Sequence, residues 1–219
     1  MVTEALSFDF GQYMPPLVRG AGVTVGLVVA AGIAGTIIGM LFGVARSAPL
    51  APIRWLASVY TNFIRGIPIL IILLFLYYEI PLLFPYATFS QTITAVIGLS
   101  VYAGAYMAEI FRGSIQAVPR GQLEAGQALG LNYVQRMRYV VLPQALKIAV
   151  PPGIGFLIAL VKASSLVSVI SATDLTRAGR IITSQNHQAL TTFLIVAALY
   201  FVISYPLSLL GRWFERRLA

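Results

Sequence analysis

The chain has 219 residues, of which 58% are hydrophobic and only 10% charged, and its mean hydropathy is +0.85. A soluble domain usually carries about 25% charged residues, so this composition cannot furnish a water-facing surface and excludes an ordinary soluble protein. The formal charge of +8 is scattered singly between apolar runs, with no basic face or aromatic-basic stripe, which argues against nucleic-acid binding. Cysteine is absent and His187 is the single histidine, with only Asp174 near it in sequence, so disulfides, a Cys nucleophile and a metal centre are not expected.

In chain order, the opening Met-Val-Thr-Glu-Ala is acidic where a cleaved signal peptide is basic, and the first apolar run is too long for one. Residues 1–16 are expected to stay as an external segment. A helix needs about 20 mostly apolar residues to cross a bilayer core, and five stretches qualify. The first spans about Leu17 to Ala45 and carries Gly35, Gly39 and Gly43 at four-residue spacing, with Gly22 and Gly26 before them. Small residues in such rows let helix backbones approach closely, and packing inside the subunit is the reading preferred over a dimer seam. The second spans about Trp55 to Leu83, after a turn marked by Pro49 and Pro52, and is closed by Pro81 and Pro85. Arg65, beside Gly66 and Pro68, reads as a membrane-edge anchor.

The third span, about Thr92 to Phe111, ends near Glu109 and Arg112, three apart on one helix face and expected to form a structural ion pair. Residues 113–146 form a long loop that reads as helix. The fourth span, about Ile148 to Ile170, contains Pro151, Pro152, Gly153 and Gly155, which predict a local bend whose freed backbone groups face a cavity. Lys162 lies about 22 Å along that helix from Lys147. Its ammonium has two readings: it holds a substrate carboxylate or a gate, or it snorkels or pairs within the bundle. Ser164 and Ser165 add hydroxyls beside it. Ser171 to Gln188 is a long connection containing Asp174-Leu-Thr-Arg177, and His187 reads as an interfacial loop residue. The fifth span, about Leu190 to Leu210, is followed by a tail, 212–219.

Eleven Lys and Arg residues fall on one side of these spans: Arg46, Arg54, Arg65, Arg112, Arg120, Arg136, Arg138, Lys147, Arg212, Arg216 and Arg217. The other side receives Arg19, Arg177 and Arg180, together with Glu4, Asp9, Glu79 and Asp174. The cation-rich side is cytoplasmic, which puts the N-terminus outside and the C-terminus inside.

The cytoplasmic loop reads Glu124-Ala-Gly-Gln-Ala-Leu-Gly130, then nine residues, then Val140-Val-Leu-Pro143. Ala125, Gly126 and Ala128 give a short helix a narrow face, Gly130 suits a left-handed helix end, and residues 133–139 support a second helix that Pro143 is expected to stop. The pattern resembles the EAA signature of ABC importer permeases, with Gly126 where the family has Ala and Val140 where it has Ile. The likeness continues through Arg65-Gly-Ile-Pro68, Ala105-Tyr-Met-Ala-Glu109, Phe111-Arg-Gly113, Gly121-Gln-Leu-Glu-Ala125, Leu142-Pro-Gln144, Lys162-Ala-Ser-Ser-Leu166 and Ser168-Val-Ile170. Together these stretches resemble the polar amino-acid branch, serving histidine, glutamine, glutamate, arginine and related substrates.

The resemblance implies an all-α membrane protein in the cytoplasmic (inner) membrane, with five transmembrane helices of the type I importer fold. Residues 17–211 would be the transmembrane domain. Glu124, Ala125, Gly126, Gly130, Leu142 and Pro143 would couple to an ATPase through a cytoplasmic helix, and the substrate pathway would run by Gly155, Phe156, Lys162, Ser164 and Ser165. The implied partners are ATP-binding-cassette ATPase subunits, a second permease, identical or homologous, and an external solute-binding protein. No Gly-x-x-x-x-Gly-Lys-Ser/Thr loop is present, so no cofactor is expected on this chain; ATP and Mg belong to the partner. Phe156 to Ala163 contains no carboxylate, which weakens a cationic cargo; an opine- or ectoine-like solute is an alternative. An ion-coupled transporter would want an internal repeat and buried carboxylates, and an enzyme a Ser/His/Asp group, a metal cluster or a carboxylate pair. The sequence supplies none of these.

Overall fold

The computed structural model describes residues 8–84, 86 and 88–218, and these contain helices and no strand. Glu4 and the rest of 1–7, and Pro85, lie outside the described residues. Helix α1 (Phe10–Arg46) starts behind Asp9, whose carboxylate accepts the Gln12 N–H at 3.1 Å in the manner of an N-cap, so helix extends into the expected external segment.

The stretch from about Trp55 to Leu83, expected to be one span, is two helices. α2 (Ala51–Gly66) and α3 (Ile69–Leu83) meet at a bend of 101°. Pro68, with φ −58° and ψ 135°, has no N–H to give, and its ring drives Ile67 out of the helical region. Next come α4 (Gln91–Ala117), α5 (Arg120–Ala128), α6 (Tyr133–Ile170), α7 (Leu175–Asn186) and α8 (Ala189–Leu218). Among the described residues α1, α4, α6 and α8 are each long and apolar enough to cross a membrane, and the bent pair makes a fifth candidate. α4 and α6 consume most of the expected loop 113–146, and α8 takes in nearly all of the expected tail.

Pro143 does not stop a helix. Met137–Val141 widens into a turn in which the Leu142 N–H reaches back five residues to Met137 O, and α6 continues beyond it. The same arrangement precedes Pro81: Phe75–Glu79 widens and the Ile80 N–H bonds Phe75 O. A proline ring clashes with the carbonyl four residues back, and an extra residue in the preceding turn moves that carbonyl aside. At Pro143 the Gln144 side-chain amide also donates to Val140 O at 2.8 Å. Helix likewise runs unbroken through Pro151 and Pro152.

The chain forms two compact units, and the long helices contribute segments to each. One comprises the chain up to Ile33, Ile67–Ser100 and Leu157–Leu207; its apolar cluster joins α1, α7 and α8 through Leu17, Leu175, Ile182 and Val196. The other comprises Ala34–Gly66, Val101–Phe156 and the chain from Ser208. In this second unit α1 and α4 touch along the glycine row. A Cβ on Gly35 or Gly39 would overlap the Cβ of Ala103 or Met107, and one on Gly43 would lie 2.7 Å from that of Phe111. The row therefore packs within the subunit, whereas a Cβ on Gly22 or Gly26 would meet nothing within 4 Å.

Candidate functional site

α5 is a short helix with hard ends. Its last turn closes on Gly130 at φ +74°, with the Leu131 N–H on Gly126 O (3.0 Å) and the Gly130 N–H on Gln127 O (2.9 Å). This double-bonded stop needs a left-handed residue, and glycine takes that conformation without steric cost. Asn132 then starts α6 with a reciprocal capping box to Gln135. Two residues on one face hold α5 to the chain. Leu123 packs against Val118, Val141 and Ala145, and Gly126 is buried beside the Arg136 side chain, where a Cβ would sit 3.1 Å from Cγ. Glu124, Ala125, Gln127 and Ala128 are exposed, and Leu129 is 79% exposed. Glu124 makes no ion pair among the described residues. Leu142 and Pro143 lie on α6, half-buried and exposed respectively. Tyr133 donates its hydroxyl to Ser47 O at 2.8 Å, tying the start of α6 to the end of α1.

Glu109 and Arg112 form the expected pair, and two cations unseen in the local pattern join them. Glu109 is bonded by Arg46 and Arg112, and Arg65 Nη1 lies 3.3 Å from its Oε2. The Arg65 guanidinium also stands 5.4 Å from the Tyr106 ring centroid, an attractive placement. Arg65, expected to be a membrane-edge anchor, is part of this node. One carboxylate thus joins the C-terminal ends of α1 and α2 to α4.

The residues assigned to the pathway have different surroundings. Phe156 stacks on Tyr106 with centroids 5.3 Å apart and planes at 15°, and Gly155 is exposed. In the other unit Lys162 is exposed and makes no ion pair among the described residues. The end of α6 tightens from Ser164 to Ile170, and Ser164 and Ser165 donate back to Val161 O and Lys162 O, each at 2.7 Å. Their hydroxyl hydrogens are engaged; what the pair can offer a ligand is acceptor lone pairs, and Ser164 is fully buried.

Asp174 caps α7, a role its position ahead of Leu-Thr-Arg allowed but that was not drawn from the sequence. Its carboxylate accepts the Thr176 and Arg177 N–H groups at 3.1 and 3.0 Å and the Tyr200 hydroxyl at 3.3 Å, while Thr24 accepts the Leu175 N–H. Burial nevertheless pushes its carboxyl above the ordinary aspartate value, because these bonds only partly offset desolvation. A cavity of about 530 Å³ opens beside it, lined by Arg19, Gly20, Val23 and Arg177. His187 ends α7 in the left-handed conformation, φ 55°.

Long apolar helices with a short, sharply ended polar helix on the cation-rich side are the parts of a transporter's membrane-spanning subunit. The chain belongs to the family of binding-protein-dependent transport system inner membrane components, whose model matches residues 22–219. It is 40% identical over 194 residues to the probable amino-acid ABC transporter permease protein YckA of Bacillus subtilis (strain 168), covering 88% of this chain and 84% of that one. It is 37% identical to the glutamine transport system permease protein GlnP of Escherichia coli (strain K12), over 97% of this chain and 99% of that one. Among solved structures, a crystal structure of an amino acid ABC transporter with histidines superposes at a TM-score of 0.88 with 35% identity, covering 97% of this chain and all of that one. An inward-facing MetNI methionine ABC transporter superposes at 0.81 with 26% identity, covering 94% and 97%.

Proposed function

We propose that this permease carries a polar amino acid across the cytoplasmic membrane, driven by two separate ATPase subunits that grip α5. The observation that carries the reading is the construction of α5. It is fixed to the chain by Leu123 and Gly126, ended sharply by Gly130, and free along Glu124, Ala125 and Ala128. A helix held this way moves as a body with α6, and α6 bears Phe156, Lys162 and the serine pair. Closure of the ATPases on nucleotide would shift α5 and reorient the permease pair outward; hydrolysis would reset it. ATP and Mg are bound by the ATPases, and this chain performs no chemistry of its own. A second permease and an external binding protein complete the machine.

The cargo assignment is supported by the relatives named for glutamine, L-cystine and arginine transport. Lys162, exposed and without an ionic partner among the described residues, suits a substrate carboxylate, and the Ser165 lone pairs suit an ammonium. The absence of a carboxylate between Phe156 and Ala163 favours a neutral or acidic amino acid over a cationic one. In proteoliposomes holding the whole transporter, Gly130→Val should cut ATP-driven uptake at least tenfold while insertion and ATPase turnover persist. Unchanged uptake would contradict the coupling role, and uptake that survives ATP removal but collapses with the proton gradient would favour an ion-coupled carrier.

A further inference from the structure

α2 divides lengthwise into three faces. At about 100° per residue, Ala57, Tyr60, Thr61 and Ile64 share one arc, and this arc packs on its own unit. Ala57 and Thr61 are buried, and Tyr60 donates to Val101 O at 2.8 Å. Arg54, Ser58, Asn62 and Arg65 form a second, polar arc. Trp55, Leu56, Val59 and Phe63 form the third, and they are exposed by 67, 64, 45 and 65%. Three arcs roughly a third of a turn apart are what a helix needs where protein, water and hydrocarbon meet. A helix crossing the core would have no use for a polar arc along its whole length.

We propose that α2 is an interfacial helix lying in the cytoplasmic leaflet, with Trp55, Val59 and Phe63 sunk among acyl chains and Arg54 and Asn62 in water. The bend of 101° at Ile67–Pro68 lets the chain leave that plane. Lengths agree: α3 is about 22 Å long, roughly 8 Å short of a hydrocarbon core of about 30 Å. A helix sunk about 5–10 Å below the headgroup boundary makes up the difference. Charge selects lipid over a second protein as the occupant beside this arc. Among the described residues Arg46, Arg65 and Arg112 share Glu109 as their carboxylate, leaving two positive charges uncompensated at one end of α2, and Arg54 adds another near the start. Cations at both ends of an apolar arc suit anionic headgroups. The inference rests on the cytoplasmic orientation and not on the identity of the cargo.

The chain has no cysteine, so spin labels can be placed singly at Trp55→Cys, Val59→Cys, Phe63→Cys, Arg54→Cys and Asn62→Cys in the intact transporter. In bilayers containing phosphatidylglycerol, labels at 55, 59 and 63 should be relaxed by oxygen and lie at depths within one helical turn of each other. Those at 54 and 62 should be relaxed by a water-soluble nickel chelate. A depth step of about 12 Å between 55 and 63, as for a helix along the membrane normal, would overturn the proposal. So would labels at 55, 59 and 63 shielded from both relaxants, which would mean that a second permease covers the arc.

Discussion

Glu109 and Asp174 are both carboxylates set among apolar helices, yet three guanidiniums meet Glu109 while Asp174 is satisfied by two backbone N–H groups and a tyrosine. Glu109 joins residues far apart in the chain, so its charge holds tertiary structure. Asp174 bonds mainly within its own turn, so it fixes where α7 begins. A charge that must hold several helices is given counter-charges; one that starts a helix needs only correctly placed dipoles.

The largest effect should come from Glu109→Gln, which leaves Arg46, Arg65 and Arg112 with a neutral partner. The node is about a quarter exposed, so the loss should fall between that of an exposed and a buried pair, about 1–3 kcal/mol. It would be read as a lowered thermal midpoint of the purified complex. An unchanged midpoint would mean that the guanidiniums find other anions. Asp174→Ala should cost about 1 kcal/mol, the usual value of a lost N-cap, whereas Asp174→Asn should cost only a few tenths because asparagine also caps. Equal losses from the two would show that the charge, and not the cap, matters.

The smallest effect is one of pH. Because the folded-state pKa of Asp174 is raised above its ordinary value, its protonated form favours the folded chain. That contribution is complete below the ordinary aspartate value and is lost as pH rises through the raised folded value. Thermal midpoints of wild type and Asp174→Asn compared from acid to neutral pH should diverge over that window, with wild type losing ground as pH rises. Parallel curves would remove burial as the dominant influence.

The same contrast explains what the sequence could reveal. Glu109 and Arg112, three apart, were legible, as were the left-handed Gly130, the short helix before it and the packing row at Gly35, Gly39 and Gly43. Arg46 and Arg65 reach Glu109 across long stretches of chain, and no periodicity announces such a meeting. Pro143 misled because its effect depends on the turn ahead of it, which widened instead of ending. At Pro68 the signal was present, since a residue before proline leaves the helical region, but the apolar run through Trp55 to Leu83 outweighed it. The serine hydroxyls near Lys162 were visible as residue types; their return to the backbone follows from a tightened turn that composition does not encode.

The position proposed for α5, inside the cell against an ATP-hydrolysing partner, can be read directly. Gln127→Cys in this otherwise cysteine-free chain puts a thiol on the exposed face of α5, and short bifunctional cross-linking in intact membranes reads its neighbour directly. The expected result is a cross-link to the ATPase subunit whose yield changes with ATP, and no reaction with an impermeant thiol reagent added outside. Labelling from outside, or a thiol that cross-links to no ATPase under any nucleotide condition, would contradict it.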